Sequence, residues 1–177
     1  LGSDELAVYG VLALITAFAQ CLAYGAGQAA QPIISQNFGA NQPGRIRECM
    51  KYGLLTSVGM GIFWTFLMLA CPNTILHFFM TPTASVAQIA PGILRAYGIS
   101  FILLPFNIFA TYYFQAMMKS TISMVSSLAR GVIISGALIL ALPMFAGADS
   151  IWYAMLITEI IVALYGVWHM AKCTRNQ

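Results

Sequence analysis

Charge is scarce in this chain: Asp, Glu, Lys and Arg make up 7% of its 177 residues, five of them acidic and eight basic. A soluble domain carries about 25%, and a water-facing surface cannot be assembled from so few ionised side chains. Soluble enzymes, nucleic-acid binders and disordered tails are excluded on that ground. The net charge of +3 is also too small to imply a nucleic-acid partner. Paired cysteine motifs are lacking. Cys21, Cys49, Cys71 and Cys173 fall on separate segments without a CxxC, so packing is expected of them rather than metal or redox chemistry. Catalytic signatures are missing as well: there is no HExxH, GxSxG, phosphate loop or paired aspartate motif, and His77 and His169 are solitary. Neither an enzyme nor a metal site is expected. Leu1 to Glu5 is acidic and lacks the basic flank of a secretory signal.

Apolar residues, by contrast, make up 60% of the chain. A helix needs about 20 mostly apolar residues to cross the hydrocarbon core of a bilayer. Five stretches meet that length, at about 6–36, 49–70, 92–117, 122–145 and 151–171. A membrane β-barrel would instead show segments of about ten residues in strict alternation, and Leu12-Ala13-Leu14-Ile15 and Ile133 to Leu142 do not alternate. The expected fold is therefore all-α, a polytopic transmembrane bundle of five spans in one membrane domain. Turn chemistry separates the spans. Asn41-Gln42-Pro43-Gly44 is a turn, Asn73 to Met80 reads as a short interfacial helix, Thr83 is a plausible N-cap, and Gly147 to Ser150 is a tight connection.

The basic residues fall on one side of this path. Arg45, Arg47 and Lys51 follow span one, Lys119 follows span three, and Lys172 and Arg175 follow span five. Asp4, Glu5 and Asp149 lie on the other side, with Arg95 near the start of span three. Basic loops stay in the cytoplasm, which places Leu1 outside and Gln177 inside. An odd number of spans with an external start leads to the expectation that the chain is part of a longer one. Trp152, Tyr153 and Trp168 near the ends of span five read as interfacial anchors.

Ionisable groups at membrane depth are costly and often functional. Glu159 lies in the middle of span five and Arg130 in the first half of span four. A rise of about 1.5 Å per residue puts them roughly 15–20 Å from the basic end, so the two can meet across antiparallel neighbours. Two readings stand. In one, Glu159 binds a proton or sodium ion and Arg130 tunes it. In the other the two form a static pair, or Arg130 snorkels toward headgroups. Uncharged polar groups are concentrated on span one (Gln28, Gln31, Ser35) and span three (Asn107, Thr111, Tyr112, Gln115). Gln28, Gln31 and Ser35 share a helix face, which can line an aqueous path or bind helix to helix. Pro32 and Pro105 are expected to break their spans, and broken helices near the midplane are where transporters bind substrates and ions.

One stretch is more specific than the rest: Gly25-Ala26-Gly27-Gln28-Ala29-Ala30-Gln31-Pro32-Ile33-Ile34-Ser35-Gln36-Asn37-Phe38-Gly39-Ala40, followed by Arg45-Ile46-Arg47. It resembles the signature closing the eighth helix of multidrug and toxic compound extrusion (MATE) transporters. Phe114 to Lys119 is similar to the end of that family's tenth helix, and Leu128-Ala129-Arg130 with Pro143 to its eleventh. The resemblance implies helices eight to twelve of a twelve-helix, two-lobe transporter of the plasma (inner) membrane, with a cytoplasmic C-terminus. It implies export of organic, often cationic, drug-like compounds against proton or sodium entry by alternating access, with no cofactor beyond that ion. Its partners would be the N-terminal lobe of the same chain and the lipid bilayer. In many members the coupling carboxylate sits on the first helix of the other lobe. Some place acids on helices seven and ten, where span three offers Asn107. The alternatives are a lipid-linked oligosaccharide flippase of the same superfamily, expected to carry more cavity Arg and Lys, and a non-transporting structural membrane subunit.

Overall fold

The computed structural model describes residues 2–175, with side chains through Cys173. Leu1, Gln177 and the Arg175 side chain, which carry part of the orientation reading, lie outside the described residues. No strand occurs among the described residues. The first helix, α1 (Ser3–Gly39), has Asp4 and Glu5 in its first turn, where the helix dipole favours negative charge, and the Glu5 carboxylate accepts from the Gly2 amide. At 37 residues it extends over about 55 Å, well beyond the hydrocarbon thickness. Asn41, at φ 53°, makes the reversal, and Pro43 opens α2 (Pro43–Ala70) at a position that needs no amide donor. A short helix, α3 (Pro72–Phe79), tucks Ile75 and Leu76 inward. Thr83 then caps α4 (Ala84–Gly98), accepting from the Val86 amide at 3.4 Å.

Span three is composite. A 3-10 turn (Ile99–Ile102) follows α4, and Pro105 stands in the first turn of α5 (Leu104–Ala116). With no amide hydrogen at Pro105, the ladder is interrupted one turn above it. The span begins at Ala84 rather than near Gly92, because Pro91 is carried inside α4 instead of starting the helix. Span four is composite too: α6 (Ser120–Leu128), a π turn (Ala129–Ile133) and α7 (Ile134–Ala146). Gly147, at φ 84°, and a 3-10 turn (Ala148–Tyr153) lead into α8 (Ala154–Arg175). Among the described residues five segments are long and apolar enough to cross a membrane: Ser3–Gly39, Pro43–Ala70, Ala84–Ala116, Ser120–Ala146 and Ala148–Cys173. Each is longer than its sequence-derived window, although span two ends where expected and span three one residue earlier.

Two sequence expectations are corrected here. Pro32 does not break span one: α1 runs through it without interruption, with the ring exposed. Trp152 is no interfacial anchor. It is 6% exposed and packed in the core, while Tyr153 and Trp168 are exposed. The cysteines divide, Cys173 being buried and Cys49 partly so, whereas Cys21 and Cys71 are exposed and pack in no core.

Span three is the centre of the bundle. Of its most apolar window 61% is buried, against 6% for span four, which lies at the periphery. Two apolar clusters mark the ends. One gathers Val8 to Ala23 of α1 with Leu94, Phe101 and Trp152; the other gathers Ile34, Ile46, Phe114, Met170 and Cys173. The second lies beside the turn before Arg45 and at the Lys172 end of α8, so those basic residues share one end of the bundle. Close approach between spans relies on glycine. A side chain at Gly61 would meet the Ile102 carbonyl, backbone that cannot step aside. Gly61→Val is expected to destabilise the bundle by about 1–3 kcal/mol, the usual range for overpacking. A thermal-unfolding midpoint equal to wild type in nanodiscs would show that α2 does not need this contact.

Candidate functional site

Asn107, Thr111 and Gln115 recur every four residues on α5, so one face carries them over about 12 Å. Asn107 belongs to a buried cluster and Gln115 to an open one. In the open cluster, Gln28 Nε2 donates to the Tyr112 hydroxyl at 3.2 Å and Gln31 Nε2 to Gln115 Oε1 at 3.3 Å. Gln115 Nε2 then donates to Ser123 Oγ at 3.0 Å. The ladder joins α1, α5 and α6. It forms because Gly27 lets α1 close on the Tyr112 ring, where any larger residue would collide. Tyr24 meets the same ring edge-on at 6.3 Å. Gln28 and Gln115 are exposed. Amides with unused donors and acceptors are costly against hydrocarbon, so this face suits water or protein rather than lipid tails.

Two of the sequence-predicted residues contribute less than their polarity suggests. The Ser35 hydroxyl donates to the Pro32 carbonyl at 3.1 Å, and the Thr111 hydroxyl to the Asn107 carbonyl at 2.9 Å. Each is engaged with its own helix, the usual arrangement for a hydroxyl within an apolar span. Ser123, which sequence reasoning passed over, completes the ladder. Its signal was the serine-rich start of span four, Ser120 to Ser127.

The buried cluster sits where span three restarts. Glu159 is 0% exposed and Asn107 2%. Asn107 Nδ2 donates to both the Glu159 carbonyl at 2.9 Å and Glu159 Oε2 at 2.5 Å, tying α5 to α8. The Arg130 guanidinium approaches Glu159 Oε1 at 3.5 Å, the π turn projecting it inward. The contact is long for a charge-assisted hydrogen bond. Arg130 Nη1, Glu159 Oε1 and Asn107 Oδ1 are all buried without a hydrogen-bond partner among the described residues. The cluster therefore holds matched charges with incompletely satisfied polar atoms. Among the described residues no three His, Cys, Asp or Glu side chains gather as a metal site would need.

A membrane-spanning helix bundle with polar groups gathered at broken helices is the construction of a membrane transporter. Residues 1–142 match the family model MatE, and the chain belongs to this family of transporters. Neither a curated protein nor a solved structure matched it. The match takes in the whole ladder together with Asn107 and Arg130, while Glu159 lies beyond it.

Proposed function

We propose that this chain is the C-terminal lobe, less its first helix, of a secondary antiporter that exports organic, often cationic, compounds in exchange for protons or sodium ions by alternating access. The other lobe would belong to the same, longer polypeptide. Gln28, Gln31, Tyr112 and Gln115 would border the substrate path, and Glu159 would lie on the ion path. The observation that carries this reading is the exposed amide ladder between α1 and α5 within the membrane-spanning segments. A structural subunit has no need of such a face.

A flippase for lipid-linked pyrophosphates is less well supported. Away from the basic end of the bundle the described residues offer Arg95 and Arg130 as arginines, fewer than a pyrophosphate-binding cavity is expected to carry. Arg95 Nε donates to the Leu69 carbonyl at 3.3 Å, and Arg130 faces Glu159.

The test is ethidium efflux from proteoliposomes containing the complete transporter, under an imposed proton or sodium gradient. Export is expected to follow one of the gradients, and export indifferent to both would remove the antiporter reading. The orientation has its own test. Single cysteines at Arg47 and Lys172 are expected to react with an impermeant maleimide from the cytoplasmic face alone. Labelling from opposite faces would overturn the five-span path.

A further inference from the structure

Span four carries an irregularity beside the buried cluster. Between α6 and α7 the residues Ala129–Ile133 form a π turn, which holds one residue more than an α-helical path requires. That extra residue turns Arg130 toward Glu159, with 3.5 Å between Nη1 and Oε1. The turn has open space around it. None of its five residues is buried, and Gly131 has open space where a side chain would begin. A cavity of about 190 Å³ lies against it, bordered by Ser126, Ala129, Ile134, Ile161 and Val162. The flanks are unequal. On the α6 side Ser123 is tied to Gln115 and is buried, as is Ser126. On the α7 side Ser135 is the buried residue of a helix otherwise directed outward.

We propose that Arg130 is a movable counter-ion. The extra residue passes from the π turn outward along α7, the turn relaxes to α-helix, and the guanidinium leaves Glu159. A small cation, a proton or a sodium ion, takes its place on the carboxylate. Charge is conserved at the site, since one positive group departs as another arrives. Asn107 Oδ1, buried without a donor, is the acceptor such an occupant uses: it receives the O–H of a protonated carboxyl or supplies a hard oxygen to a metal cation. The neighbouring cavity gives the relaxing turn room. This assignment deepens the antiporter reading and rests on it for the cation's role. The movement itself is independent of export.

The test therefore reads the movement. Nitroxides placed singly at 136–142, in the complete protein in nanodiscs, report oxygen accessibility that rises and falls with the helix period. Losing one residue from the π turn rotates α7 by about 100° and shifts it by about 1.5 Å. Glu159→Gln abolishes the charge that holds Arg130, so its accessibility pattern is expected to be displaced by that angle from wild type. A pattern in phase with wild type would overturn the proposal. Should Glu159→Gln not reach the membrane, the Arg130→Ala/Glu159→Gln double variant lacks both halves of the pair without stranding a charge and must give the same displacement; an unshifted pattern there overturns it equally. A displaced pattern in a protein that exports nothing supports the moving counter-ion and counts against the antiporter. Gradient-driven export with a fixed pattern does the reverse.

Discussion

Arg130→Ala is expected to be among the most damaging single substitutions in the bundle, lowering both membrane yield and unfolding temperature. It would leave the Glu159 carboxylate in a site with no access to water and its charge unanswered. Removing one partner of a buried ion pair costs about 3–5 kcal/mol. Because the Arg130 side chain keeps 17% of its exposure, water softens the pair and the lower part of that range is expected. The charge rather than the bulk should account for the loss. Glu159→Gln in the Arg130→Ala background removes the stranded charge and keeps the carbonyl oxygen to which Asn107 donates, so the double variant is expected to recover most of the stability. A double-mutant cycle on thermal unfolding measures this directly. Unchanged yield and melting temperature in Arg130→Ala would mean that the pair contributes nothing to the fold.

The spans were legible because length and apolarity are sufficient to specify a membrane helix, and neither depends on neighbours. The breaks were less so. Pro32 and Pro105 carry the same chemistry, yet α1 runs straight through the first while span three restarts around the second. The difference lies in the surroundings: Pro32 is exposed, whereas Pro105 is buried beside a 3-10 turn against which α2 closes at Gly61. The π turn at Arg130 has no proline to announce it. A period-based reading sees only a continuous apolar run there, because one added residue alters which face follows without altering composition. Burial was equally opaque for Trp152, whose place near a span end suggested an interface and whose ring instead fills the core. At the candidate site the residue types were legible and their pairings were not. Gln28 with Tyr112 and Gln31 with Gln115 are each 84 residues apart, and only the close α1–α5 approach brings them together.

Glu159→Gln is expected to weaken gradient-driven export without abolishing it, by roughly tenfold, the equivalent of ~1.4 kcal/mol in a coupled equilibrium. The substitution is nearly isosteric, so Asn107 keeps an acceptor at both its contacts and α5 remains tied to α8. What is lost is the one negative charge buried at this depth, and with it the differential affinity for a cation that could bias one conformation over another. On the antiporter reading export persists in part, since the resemblance implies a further coupling carboxylate in the other lobe. The ladder should respond differently. Gln115→Ala removes contacts to Gln31 and Ser123 without touching a charge, so it should raise the ethidium concentration needed for half-maximal efflux and leave the gradient dependence alone. Measuring both variants against imposed proton and sodium gradients separates the two paths. Wild-type rates from Glu159→Gln would reduce the carboxylate to a packing role. An altered gradient dependence in Gln115→Ala would place the ladder on the ion path instead.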